Sequence, residues 1–177
     1  MKIRYKDLQV KDLHNRLLEV FNRYQVTQQV WHKEEGNFSV RDDHFIDEWD
    51  DTHKARVIQD LKRCIEKGGA VIGAFADDKL VGFANVEGER FGSRNQYVEL
   101  PYIHVSNEYR KHGIGKELFK RCCEKASDLG AEKVYIGAHP AVETQHFYRS
   151  LGCTYAEEIN QRIYEKEPLD MQLEFRL

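Results

Sequence analysis

Residues 97–129 read YVELPYIHVSNEYRKHGIGKELFKRCCEKASDL. Tyr97 to Val105 is rich in β-branched, aromatic and aliphatic residues, the composition of a buried strand. Ser106, Asn107 and Glu108 interrupt it with a polar turn. From Ile114 the apolar residues recur at Leu118, Cys122, Ala126 and Leu129, one stripe at helical spacing. Gly130 stands where a left-handed helix stop is expected. The segment therefore predicts a strand, a turn and a helix whose start carries Gly113 and Gly115.

The chemistry lies in the join, Arg110-Lys111-His112-Gly113-Ile114-Gly115. A helix start presents unpaired backbone N–H groups at the positive end of the dipole. Glycines there let an anion approach the backbone without meeting a Cβ. Arg110, Lys111 and Lys116 add positive charge, so the join suits a pyrophosphate. Two other phosphate loops fit poorly. G-x-G-x-x-G would need glycine at Leu118, and in a P-loop Lys116 would be followed by Ser or Thr rather than Glu117. The same residues could also form a tight turn with a solvated basic face.

Arg110-x-x-Gly113-x-Gly115 after a strand ending at Val105 resembles the pyrophosphate motif of the GNAT superfamily of acyl-CoA-dependent N-acyltransferases. A second match, Phe147-Tyr148-x-x-x-Gly152-Cys153, is close to that family's F-Y-x-x-x-G-F. With the elements between them, the motifs span residues 97 to about 160. The resemblance implies a single α/β domain over residues 1–177, with a mixed sheet of about seven strands and about four helices. It further implies that the fourth and fifth strands of that sheet splay apart.

It also implies site residues. Backbone N–H groups from His112, Gly113, Ile114, Gly115 and Lys116 would hold the pyrophosphate of acetyl-CoA, the co-substrate, beside Arg110 and Lys111. Main-chain groups of the Ile103-His104-Val105 strand would hold the pantetheine arm and the thioester carbonyl. Tyr148 would protonate the departing thiolate, since phenol and thiol have similar reference pKa values. Glu99 matches the basic glutamate of the histone-modifying branch and would be the base, or would position the water that is. A carboxylate on an apolar strand suits a base unless an ion pair claims it. Tyr102, His104 and His139 are weaker candidates for that role. Asparagine is common in the family where this chain has Ala141. Thr144 could supply the missing contact to the pantetheine.

Composition sets limits around this reading. The 177 residues are enough for one substantial core. A net charge of −3 does not indicate general nucleic-acid binding. No apolar run approaches the roughly 18 residues of a membrane helix, and MKIRYKDLQV has no signal-peptide core. A cytoplasmic protein is expected. Cys64, Cys122, Cys123 and Cys153 form no C-x-x-C and are expected reduced. The histidines form no metal-binding pair, so no metal is expected.

Along the rest of the chain, Ile3–Leu8 predicts a strand and Lys11–Tyr24 a helix with Leu13, Leu17, Val20, Phe21 and Tyr24 on one face. Residues 25–51 predict a hairpin or irregular loop turning at Glu35-Gly36-Asn37. Thr52–Lys67 predicts a helix capped by Thr52. Ala70–Ala76 and Leu80–Val86 predict a hairpin. Lys133–Ala138 predicts a strand parallel to 97–105 through a right-handed crossover. A short helix over 140–150 and closing strands over 154–160 and 171–177 follow. The resemblance implies a bulge in the organising strand, and Pro101, which cannot donate a ladder bond, suits either that bulge or an edge strand.

Asp42 to Asp51, DDHFIDEWDD, holds six carboxylates and no Lys or Arg. It is either a solvated surface with aromatic anchors or a wall that collects cations. The expected activity is transfer of acetyl from acetyl-CoA to a primary amine of a small cationic molecule, by direct attack in a ternary complex. The alternative is an acyl-CoA-binding module without turnover. The expected partners are that amine and, at most, a second copy of the chain, with no nucleic acid and no membrane.

Overall fold

The computed structural model describes residues 1–177. Three strands, β1 (Ile3–Leu8), β4 (Ala70–Ala76) and β5 (Lys79–Val86), form an antiparallel set, with β1 on β4 and β4 on β5. Between β1 and β4 run a long hairpin, β2 (Gln25–Glu34) and β3 (Asn37–Asp47), and helix α1 (Asp51–Glu66). The hairpin turns at Glu35-Gly36, both with positive φ.

The expected strand 97–105 is two strands. β6 (Tyr97–Glu99) pairs parallel with β8 (Lys133–Ala138), whereas β7 (Ile103–Val105) pairs antiparallel with β5. The last bond to β8 is Leu100 N–H to the Tyr135 carbonyl, 2.9 Å. Pro101 then has no N–H to offer. The Asn85 side-chain carbonyl accepts the Tyr102 N–H at 3.0 Å and draws the chain onto β5. Hence β7 and β8 diverge, and the central sheet opens between them. Helix α2 (Ile114–Asp128) provides the crossover from β7 to β8. Helix α3 (Val142–Ser150), β9 (Thr154–Tyr155), the short α4 (Gln161–Lys166) and β10 (Met171–Arg176) follow. β10 lies antiparallel between β8 and β9. Counting β6 and β7 as halves of one strand, the mixed sheet has the expected size.

One core lies on the α2 and α3 side and includes Ile72, Val98, Leu118, Cys122, Val134 and Tyr148. A second lies under α1 and includes Leu13, Leu18, Phe21, Leu61 and Phe83. The second core explains the one helix that is absent. Residues 11–24 contain a 3₁₀ turn at Val10–Asp12 followed by further turns, with bonds from Leu17 to His14 and from Phe21 to Leu18. Their apolar spacing reflects burial of Leu13, Leu18 and Phe21, while Val20 is exposed. The cap of α1 is also two residues earlier than expected: Asp50, not Thr52, accepts the His53 N–H at 2.7 Å. The first closing strand extends only over Thr154–Tyr155 before the chain leaves for α4. All four cysteines are free thiols.

Candidate active site

The site is built where β7 gives way to α2. Ser106 is buried and fixed: its N–H meets the Val81 carbonyl at 2.8 Å, and its hydroxyl accepts the Asn22 N–H at 2.9 Å. The chain makes a 3₁₀ turn at Asn107–Tyr109. Arg110 folds back and donates from Nε to the Val105 carbonyl at 3.0 Å. Lys111 and Gly113 take positive φ, 63° and 79°, which turns the loop into the helix. Gly113 is the N-cap, and no side chain caps the helix. The first-turn N–H groups of Ile114, Gly115 and Lys116 therefore have no partner within α2.

The two glycines serve different ends. A Cβ at Gly113 would meet nothing within 4 Å, so its requirement is the left-handed backbone. A Cβ at Gly115 would lie 3.3 Å from the Phe147 ring. That glycine keeps the helix start close to α3.

A cleft of about 780 Å³ opens at this point. Ile103, His104, Val105, Arg110, Lys111, Gly113, Ile114, Gly115, Lys116, Thr144 and Tyr148 all line it. Of the expected cofactor residues only His112 is outside. It is exposed, with ring Nδ1 3.2 Å from the Tyr109 carbonyl. Gln25, Val142 and Phe147 also line the cleft. Phe147 was visible as the first residue of the second motif. Gln25, distant in sequence, carried no signal.

Tyr148 is buried against Phe119 and Phe147, with ring centroids 6.5 and 5.1 Å away. Burial first, and then Cys153, Asp170 and Cys122, push its phenol pKa up. It is thus a protonated donor at neutral pH. The Gln145 amide holds α3 to the end of β8, donating to the His139 carbonyl at 2.7 Å and to the Ala138 carbonyl at 3.3 Å.

Glu99 is not in this cleft. It lies on β6, 15% exposed, and its Oε1 is 3.2 Å from Arg162 Nη2 on α4. Near it, burial and the Glu99 charge raise the Glu87 pKa. Tyr102 donates to Asp60 at 2.8 Å, and burial raises its pKa. His104 lies edge-on to Trp49 at 4.8 Å, with Phe83 and Tyr102 beside it. Burial, then Arg23 and Arg110, hold its pKa well below the ordinary value, so the ring is neutral. His139 accepts the Ala141 N–H at 3.1 Å, and burial lowers its pKa. The ring of Phe45, on the hairpin, lies 5.3 Å from it.

Of the acidic run, Asp42, Asp43, Glu48, Asp50 and Asp51 are exposed. Asp47 is half-buried and acts electrostatically on both His139 and Arg23. Arg23 is itself half-buried, its Nε unpartnered, its guanidinium 5.6 Å from the Trp49 ring.

The model of the acetyltransferase (GNAT) family matches residues 24–153. The chain belongs to this family. Three solved structures share the fold across almost the whole chain. A nourseothricin acetyltransferase is 18% identical, with 99% of each chain covered and a TM-score of 0.71. A structure described as a streptothricin acetyltransferase from Bacillus anthracis str. Ames, in complex with acetyl coenzyme A, is 15% identical. It covers 100% of this chain and 99% of its own, at a TM-score of 0.74. The PaiA N-acetyltransferase from Thermoplasma acidophilum, in complex with coenzyme A, is 19% identical over 100% of both chains, at 0.63. At these identities the likeness is one of fold. No helix of this chain is long and apolar enough to cross a membrane.

Proposed function

We propose that this GNAT acetyltransferase moves an acetyl group from acetyl-CoA to the primary amine of a small cationic molecule, by direct attack in a ternary complex. The observation that carries the reading is the cleft itself. It runs from the uncapped start of α2 to Tyr148, between β7 and α3. Its basic end suits a pyrophosphate: N–H groups of Gly113, Ile114, Gly115 and Lys116, with Arg110 and Lys111, face one opening. His112 contributes through its backbone alone. The main chain of Ile103, His104 and Val105, with Thr144 opposite, lines the path for the pantetheine. β7 is bonded to β5 on one side and faces the cleft on the other, so its free N–H groups can meet a carbonyl oxygen as it gains charge. Tyr148 supplies the proton to the leaving sulfur.

Glu99 is the acceptor-side carboxylate. Its pairing with Arg162 favours positioning the amine or its water over taking the proton itself. Asp47, beside His139, is the member of the acidic run placed to attract a cation. The test is release of free thiol from acetyl-CoA against a panel of polyamines, basic antibiotics, amino acids and peptides. Release that depends on a cationic amine supports the reading. Tight CoA binding with no release from any amine would make the chain a binding module.

A further inference from the structure

Asp170 is a carboxylate that the cleft description leaves without a task. It immediately precedes β10, where Met171 pairs with Ala138, so it stands beside His139 at the open end of β8. From Ile136 to Ala138 the other side of β8 has lost β6, because the sheet has already divided. Gly137 leaves room at this point. A Cβ there would lie 3.2 Å from Ile163 Cγ2 and 3.9 Å from Asp170 Oδ2. The Asp170 N–H is held by the Glu167 carbonyl at 3.0 Å, which fixes the backbone. Its carboxylate, by contrast, makes no ion pair and accepts no hydrogen bond, although it is only partly exposed. The charged and titratable groups around it are Glu167 on its own loop, His139 at the end of β8 and Tyr148 on α3, with the Glu99–Arg162 pair of β6 and α4 on the same side of the sheet. Asp170 is close enough to Tyr148 for its charge to raise the phenol's pKa.

We propose that Asp170 is the general base that takes the acceptor amine's proton, a role that rests on the acetyltransferase reading above. A partly buried carboxylate with no cation to satisfy it has an unused acceptor, and it stands opposite His139 at the open end of β8, outside the cleft lining but close enough to act electrostatically on the acid that serves the leaving group. Burial, and then Glu167, push its pKa up to about 7, near the value that suits a base at neutral pH. The step balances. Asp170 takes one proton from the ammonium, and the freed lone pair forms the C–N bond to the thioester carbon. The C–S bond breaks, and the sulfur keeps its electron pair and receives the Tyr148 proton. The excess proton on the new amide nitrogen passes through solvent to the Tyr148 phenolate and restores the phenol, and Asp170 releases its proton to solvent, so that one proton is freed per turnover.

The experiment is a pH profile of kcat/KM, read by thiol release, for the wild-type protein, Asp170→Asn, Glu167→Gln and Glu99→Gln. The wild type should lose rate on the acid side as Asp170 protonates near pH 7. Asp170→Asn should lose that limb and about 10²-fold or more in rate, with CoA affinity by calorimetry unchanged. Glu167→Gln removes the neighbouring charge that raises the Asp170 pKa, and should move the limb to lower pH. Glu99→Gln should lower the rate and leave the limb in place. An unmoved limb in both the Asp170 and Glu167 variants would overturn the assignment, as would a limb lost in Glu99→Gln alone. Absence of thiol release from the wild type with every amine would overturn the transfer reading and this role together.

Discussion

At the residue scale, proton placement separates the candidates. Tyr148 holds its proton because burial disfavours the phenolate, which suits the proposed role of an acid. His104 and His139 are held neutral by burial, and each is engaged: His104 by the aromatic cage around Trp49, His139 by the Ala141 N–H. Tyr102 gives its hydroxyl hydrogen to Asp60. None of the three is free to take a proton from an amine. Tyr148→Phe keeps the ring between Phe119 and Phe147 and removes only the proton donor. It should lower kcat by about 10²-fold or more while CoA affinity, by calorimetry, is unchanged. Because the tyrosine remains protonated well into the alkaline range, its loss should lower the whole pH profile without shifting either limb. A fully active Phe variant would make the hydroxyl structural.

At the element scale, the start of α2 and the break in the fourth strand of the sheet make the site together. The helix needs no side-chain cap if its first N–H groups are to meet a ligand instead, and Gly113 provides the left-handed entry without one. Gly115 is where bulk would act directly, since a Cβ there already reaches the Phe147 ring. Gly115→Glu places a carboxylate on the pyrophosphate path and presses on α3. Calorimetry should show CoA binding abolished, and circular dichroism should show a folded protein, because the core residues Leu118 and Cys122 are untouched. Unchanged affinity would remove the helix start from the cofactor site. The motifs on both elements were legible in the sequence because each needs particular residue types at fixed spacing. The division of 97–105 between two sheets was only half legible. Pro101 announces an interruption, but the Asn85 side chain that completes it comes from another strand.

At the scale of the whole molecule, the acidic run divides into parts that local sequence treats alike. Asp50 is consumed in capping α1, and Asp47 is half-buried and acts electrostatically on His139, while Asp43, Glu48 and Asp51 remain exposed. Exposed single carboxylates contribute about 0–1 kcal/mol in a pair, but several of one sign raise the local concentration of a cation. The effect weakens with salt, since the screening length is about 8 Å at physiological ionic strength. For a cationic acceptor, kcat/KM should therefore fall between low and high salt while kcat changes little. Changing Asp43, Glu48 and Asp51 together to amides should flatten that dependence and leave the α1 cap intact. A preferred acceptor that is neutral or anionic, or a salt response the triple variant leaves as steep as before, would dismiss the steering role.

The sequence by itself determined the organising strand–turn–helix, the β4–β5 hairpin, the parallel crossover to β8 and the cleft residues from Arg110 to Lys116, His112 excepted, with Thr144 and Tyr148. These features rest on local periodicity and on motifs whose backbone geometry few residues can adopt. Tertiary structure alone decided the rest. It made Lys11–Tyr24 a series of turns, because Leu13, Leu18 and Phe21 are buried against the second core whether or not a helix forms. It paired Glu99 with Arg162, 63 residues away, and brought Gln25 into the cleft. It left the Asp170 carboxylate partly buried with no counter-ion, beside a strand that had lost its neighbour. Burial and electrostatic environment are sums over groups distant in the chain, so no window of sequence around Asp170 or Glu99 contains them.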